Sequence, residues 1–160
     1  MGGSYAREQH QAPPFFHSFL GMSEAAATSP DVSSVLAALQ ALYHNPDAQA
    51  KQQANQALLQ FQKTPQAWST ANALLLAQDV PLESRLFSAQ TFRSKVTFDL
   101  DQLEGASQEQ LRDTLLHALD MYATGPRVIQ TQLCLALAAL ALQTVSYTHL
   151  RAHETRHDLV

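Results

Sequence analysis

Near its C-terminus the chain reads "HLRAHETRH", with His149, His153 and His157 four residues apart. The last five letters fit H-E-x-x-H. On a helix that spacing sets two imidazoles one turn apart as zinc ligands, with the glutamate beside them as a general base. The chemistry would be metal-assisted hydrolysis, but the surroundings do not support it. Only Asp158, Leu159 and Val160 follow His157, so no further ligand comes from downstream. His149 could add a third nitrogen on the same face. Three histidines on one exposed helix make a surface chelator with no pocket and no groups to orient the ligands. The other histidines, His10, His17, His44 and His117, are scattered. No glycine-rich phosphate loop, G-x-S-x-G elbow or C-x-x-C pair occurs. The expectation is a protein that is not an enzyme and needs neither metal nor cofactor.

The elements around these residues decide what else the chain could do. It has 160 residues, 46% hydrophobic and 15% charged, which suits one domain with a real core. Ala, Leu and Gln abound and β-branched residues are sparse, so the expected fold is all-α. The net charge is −4 and the basic residues form no patch, which excludes direct nucleic-acid binding as an expectation. Lys51, Arg85, Arg93 and Lys95 read as scattered surface charge. The single cysteine, Cys134, allows no intrachain disulfide and reads as a buried small apolar side chain in "LCLALAALAL". That run, with Gln130, Gln132 and Gln143 around it, reads as a core helix and not a membrane span.

Helical signals begin at Asp31, the expected cap of "DVSSVLAALQALYH". "NPDAQAKQQANQALLQFQK" puts Asn45 at the cap and Pro46 at the first helical position, with Ala50, Ala54, Ala57, Leu58 and Phe61 on one face. "TPQAWSTANALLLAQ" starts at Thr64 and Pro65 with the stripe Trp68, Ala71, Leu75. "PLESRLFSAQTFRSKV" places Leu82, Leu86, Ala89 and Val96 together. "SQEQLRDTLLHALDMYATG" opens with Ser107 and Gln110 at capping-box spacing. Its stripe is Leu111, Leu115, Ala118, Leu119 and Tyr122, with Gly125 as C′ residue. "PRVIQTQLCLALAALALQTV" is last and apolar all round.

The helices recur. From Pro65 to Ser107 is 42 residues, and from Pro81 to Pro126 is 45. This period marks HEAT and armadillo solenoids, whose units share one continuous core. The helices from Pro65 and Ser107 are taken as second members of their pairs, and those from Pro81 and Pro126 as first members. The predicted architecture is a HEAT-repeat solenoid holding the first two and a half helical pairs of a longer protein.

"LQALYHNPDAQAKQQANQALLQFQKTPQAW" followed by "ESRLFSAQTFRSKV" resembles the N-terminus of importin-β-type nuclear transport receptors. "ALYHNPD", "FSAQTFRSKV", "LRDTLL" and "VIQTQLCLALAALALQ" are most similar to the transportin-SR class, the import receptors for serine/arginine-rich splicing proteins. The resemblance covers about residues 32–145. It implies that this region binds the GTP form of the GTPase Ran, that cargo and nucleoporins bind elsewhere in the full receptor, and that the protein moves between cytoplasm and nucleus. It also implies that the second helix of each pair lines the concave surface. On the helix from Ser107, Glu109, Asp113, His117 and Asp120 lie opposite the apolar stripe as an acidic face. By the resemblance this face looks toward Ran's basic surface. Gln66, Ser69 and Thr70, with Ala73, point the same way on the preceding second-member helix, the one from Pro65.

Three segments are expected: a disordered extension at 1–30, importin N-terminal HEAT repeats at 31–145, and a foreign-looking disordered tail at 146–160. Met22 is a plausible natural start. The tail "VSYTHLRAHETRHDLV" fits neither the repeat nor the family and resembles translated sequencing-adapter sequence. A HEAT scaffold that binds no GTPase and an export receptor of the same superfamily are the competing readings.

Overall fold

A computed structural model describes the backbone of residues 30–155 and the side chains of 31–146. The expectations for Met22, for residues 1–29, and for the side chains of His149, His153 and His157 lie outside the described residues. Six α-helices follow in order: α1 Pro30–His44, α2 Ala48–Gln62, α3 Gln66–Leu76, α4 Leu82–Phe98, α5 Gly105–Met121 and α6 Arg127–Thr155. A 3-10 turn at Leu100–Gln102 joins α4 to α5.

The helix ends show where local chemistry overrode the simplest reading. Asp31 lies inside the first turn of α1, where its charge suits the helix N-terminus, because the helix starts one residue earlier at Pro30. Asp47 caps α2, accepting from the N–H groups of Gln49 (3.1 Å) and Ala50 (3.2 Å). Asn45 instead accepts from Asp47 N at 2.9 Å, so Pro46 precedes the cap. A carboxylate is the stronger acceptor for helix N–H groups, and it takes the cap position. The Thr64 hydroxyl donates to Phe61 O at 2.7 Å and so closes α2 without opening α3. Ser107 sits inside α5, which starts at Gly105 with Glu104 at the cap position, so the expected capping box does not form. Gly125 lies beyond Tyr122, the C-cap of α5, in the turn where its N–H donates to Tyr122 O at 2.8 Å.

Hairpin contacts pair α1 with α2, α3 with α4, and α5 with α6, and an extended seam joins α4 to α6 across repeats. The described residues thus form three pairs, because the apolar last helix has α5 as its partner. The pairing also corrects the expected order. The helices at 66–76 and 105–121 lead their pairs, and those at 82–98 and 127–155 trail them. Both series recur at nearly the same interval, so spacing alone could not tell which helix opens a pair. Only the contacts decide it. We call α1, α3 and α5 leading helices, and α2, α4 and α6 trailing helices.

Two apolar clusters hold the stack. The first joins Val32, Val35 and Leu39 of α1 to Leu58, Leu74 and Phe87. The second, larger one runs from Trp68, Ala71 and Leu75 through Phe92 and Val96 to Leu111, Leu115, Ile129 and Leu133. In α2, Ala54 and Leu58 are buried, Ala50 and Phe61 are half-buried, and Ala57 is exposed. In α4, Ala89 and Val96 are buried while Leu82 is exposed. The row Ser84, Ser88, Thr91, Lys95 turns inward instead. Ser88 Oγ donates to Ser84 O at 2.9 Å and Thr91 Oγ1 to Phe87 O at 2.8 Å, so these hydroxyls satisfy themselves and leave a thin stripe for close packing.

Segment Arg127–Ser146 of α6 is long and apolar enough to cross a membrane by length and composition. The apolar stretch is longer than the ten-residue run suggests, since single glutamines do little to interrupt it. Here Ile129, Leu133, Ala136 and Leu140 pack into the core, while Val128, Leu135, Leu142 and Val145 stay exposed. Cys134 is on the exposed side, contrary to its expected burial, because it is one position past the buried Leu133. The helix continues to Thr155, so residues 146–155 are helical where a disordered tail is expected.

Candidate partner-binding surfaces

None of the described residues form a group of three or more potential metal ligands. An open groove of about 800 Å³ lies between α5 and α6, lined by Leu116, Leu137, Leu140 and Ala141 together with Glu109 and Arg112. The polar side chains of the stack are arranged on its helix faces.

Among the leading helices, α5 carries a row of acids. Glu109, Asp113, His117 and Asp120 are all exposed on α5, as the helical wheel predicts. Arg112 donates to Asp113 Oδ1 from Nε at 3.0 Å and from Nη2 at 2.8 Å, and both side chains are well solvated. A pair so exposed contributes at most about 1 kcal/mol. On α3, Gln66 is exposed and Ser69 is half-buried, its hydroxyl donating to Gln66 O at 2.8 Å. Thr70 is only 2% exposed, so it cannot present a hydroxyl to a partner. It turns inward because α3 is flanked on both sides and buries most of its circumference: Ala67, Trp68, Ala71, Asn72, Leu74 and Leu75 are buried with it. Where α3 and α5 meet, Tyr122 Oη donates to Leu75 O at 2.6 Å. Burial pushes the Tyr122 hydroxyl above its ordinary range, and Arg85 beside it pulls the other way.

The trailing face has a different composition. Helix α2 has no acidic residue, α4 has only Glu83, and α6 has none between 127 and 146. On α2, Gln49, Gln53, Gln56 and Gln60 are exposed at spacings of four, three and four, which places them on one side. On α4, Gln90, Arg93 and Thr97 are exposed. Arg93 Nη1 donates to Gln132 Oε1 of α6 at 3.2 Å, joining the two trailing helices at the surface.

Glutamines also close helix ends. Gln130 Nε2 donates to the carbonyls of Tyr122 (2.6 Å), Ala123 (3.2 Å) and Gly125 (3.3 Å) at the end of α5. Gln143 Nε2 donates to Val96 O (2.7 Å) and Thr97 O (3.3 Å) at the end of α4. Carbonyls at a helix end lack intrahelical donors, and a long side-chain amide from α6 supplies one at each of these ends.

Lys95 departs most from its expected place at the surface. It is 1% exposed, and its ammonium is enclosed by Gln62 O, Thr64 O, the Asp99 carboxylate and the Trp68 ring. A signal for this is present in the sequence: Lys95 ends the small polar row Ser84, Ser88, Thr91, and Asp99 stands four residues on.

Residues 54–120 match the family model described as the Importin-beta N-terminal domain. The chain is similar to transportin MOS14 of Arabidopsis thaliana, 39% identical over 110 residues, covering 69% of this chain and 12% of that one. It is 40% identical over 119 residues to mRNA transport regulator MTR10 of Saccharomyces cerevisiae, covering 72% of this chain and 12% of the relative. With importin-13 of Homo sapiens it shares 34% identity over 122 residues, covering 76% and 13%. The chain thus spans about an eighth of the length of the curated relatives it matches. The helical pairs, the family model and these relatives agree on one likeness: residues 54–120 are similar to the Importin-beta N-terminal domain, and the chain is built as a HEAT-type helical solenoid.

Proposed function

We propose that this chain is the Ran-binding domain of a nuclear transport receptor that works between cytoplasm and nucleus. The observation that carries the reading is the importin-β N-terminal domain at residues 54–120, with its stacked helical pairs. In this reading Ran in its GTP form lies against the trailing helices α2, α4 and α6, the members that line the concave side in the resembling receptors. The exposed acids Glu109, Asp113 and Asp120, with His117 among them, act at longer range. They supply a negative field that attracts a basic partner during encounter. Gln66 and Ser69 add polar contact at the edge, and Thr70 contributes only to packing. The finer reading is import of serine/arginine-rich RNA-binding proteins, with nucleoporins engaged by the full receptor. It rests on resemblance to the transportin-SR class.

Nucleotide dependence tests the proposal. Ran's switch loops change order between its GTP and GDP forms, so a receptor domain distinguishes them. Labelled Ran in each form is titrated with the chain. Binding is expected on the order of 10–100 μM, because a complete interface buries about 1,600 Å² and this domain supplies only part of it. The GTP form is expected to bind more tightly. Equal affinity for both forms contradicts the receptor reading and favours a scaffold that recognises no GTPase.

A further inference from the structure

Lys95 is a fully buried cation in a solenoid whose other charged side chains are largely solvated. A buried ammonium is costly unless every N–H finds a partner. Lys95 has three N–H groups and three acceptors: Gln62 O at 3.3 Å, Thr64 O at 3.0 Å and Asp99 Oδ2 at 2.9 Å. The Trp68 ring centroid lies 5.2 Å from Nζ, on a further side.

The partners come from different elements. Gln62 ends α2, Thr64 lies in the turn to α3, and Trp68 is in the first turn of α3. Lys95 itself belongs to the last turn of α4, and Asp99 leads into the 3-10 turn before α5. The carbonyls at the end of α2 carry the negative end of its dipole, and one buried cation answers them. Two further hydrogen bonds brace the same place: Gln62 Nε2 donates to Thr91 Oγ1 at 2.9 Å, and Trp68 Nε1 donates to Gln102 Oε1 at 3.4 Å. Elsewhere α2 packs chiefly on α1, and its direct seam with α4 is short. The apolar cluster of α1 with Leu74 and Phe87 joins the first pair to the second on one side, and this polar node joins α2 to the second pair on the other.

We propose that Lys95 is the positioning residue of the trailing face, fixing α2 against α4 so that the amide row of α2 and the Gln90–Arg93–Thr97 row of α4 present one surface. Its functional meaning rests on the receptor reading, whereas its geometry can be tested without any partner.

Spin labels at Gln56→Cys and Gln90→Cys, both exposed, in a Cys134→Ser background of the full chain, report the α2–α4 distance. The parent is expected to give one narrow distribution. Lys95→Met keeps the length of the side chain and removes the charge. It is expected to broaden that distribution while helicity is retained. Leu133→Ala, a core truncation in α6, should lower the melting temperature yet leave the distribution narrow, which separates positioning from plain loss of stability. A folded Lys95→Met protein with an unchanged narrow distribution overturns the proposal. If Lys95→Met does not fold, Asp99→Asn is measured in its place, and an unchanged distribution there overturns it equally. A second arm titrates Ran. If the parent prefers the GTP form, Lys95→Met should weaken GTP-form binding at least fivefold, and unchanged affinity despite a broadened distribution overturns the link to the partner surface. If the parent shows no nucleotide preference, the receptor reading fails and the distance result still stands for the joint.

Discussion

The leading and trailing faces are made by one repeat yet differ in kind. The leading side shows the exposed acids of α5, while the trailing side shows amides, a few cations and, along α6, bare aliphatic side chains. Both rest on the same core, because Leu115 of α5 and Leu133 of α6 belong to one apolar cluster. The exposed acids are concentrated on one leading helix, α5, whereas α1 has only Asp31 and α3 has none. A partner within a Debye length, ~10 Å at 0.1 M salt, senses mainly the acids of α5. A partner in close contact with the trailing side meets groups whose hydrogen bonds are short-ranged and insensitive to salt.

The largest effect expected is one that damages both faces together. Leu115→Ala removes a fully buried side chain from the shared cluster and should cost about 2–5 kcal/mol. Urea unfolding should show one transition moved to lower denaturant. Two separated transitions would mean that the faces rest on independent cores.

Tyr122→Phe comes next. It deletes the hydroxyl that donates to Leu75 O and leaves that carbonyl without its partner, for a loss of about 1–3 kcal/mol. The change also has a pH signature. Burial raises the folded-state titration of Tyr122 above its ordinary value of 10.0, against the lowering pull of Arg85. The folded protein thus keeps this proton to higher pH than the unfolded chain. The contribution to stability is intact below about pH 10 and is lost as pH rises through the range above it. Melting temperatures between pH 8 and 11 should fall less steeply at the alkaline end for Tyr122→Phe than for the parent. Equal slopes would show that the hydroxyl titrates as a solvated one does.

The smallest stability effect is expected on the leading face itself. Asp113→Lys with Asp120→Lys should change the unfolding free energy by only about 0.5 kcal/mol or less, since both side chains are solvated. A loss of several kcal/mol would mean that the acidic row is structural.

The same contrast shows how much the sequence revealed. The apolar stripes were legible: Trp68, Ala71 and Leu75, and likewise Leu111, Leu115 and Ala118, are buried as their spacing predicts. The acidic row was legible for the same reason, as the complement of a stripe. Pair order was not, because the repeat interval is nearly the same whichever helix is counted first. Thr70 and Lys95 were misplaced for a related reason. A helix flanked on two sides buries polar residues that a single-stripe wheel assigns to solvent, and their partners come from distant positions: Gln62 O lies 33 residues from Lys95. The caps failed where two capping residues stood close together, as with Asn45 and Asp47.

The most direct test of the account reads both faces in one binding experiment. Association and dissociation of Ran in its GTP form are followed at low and moderate salt for the parent, for Asp113→Lys with Asp120→Lys, and for Gln53→Ala with Gln56→Ala. The account predicts that the charge reversals slow association and flatten its salt dependence with little change in dissociation. It predicts that the amide truncations speed dissociation about threefold to tenfold, the weight of one or two hydrogen bonds, and leave association nearly untouched. Faster dissociation from the charge reversals, with none from the amide truncations, would put the contact on the leading face and contradict the account.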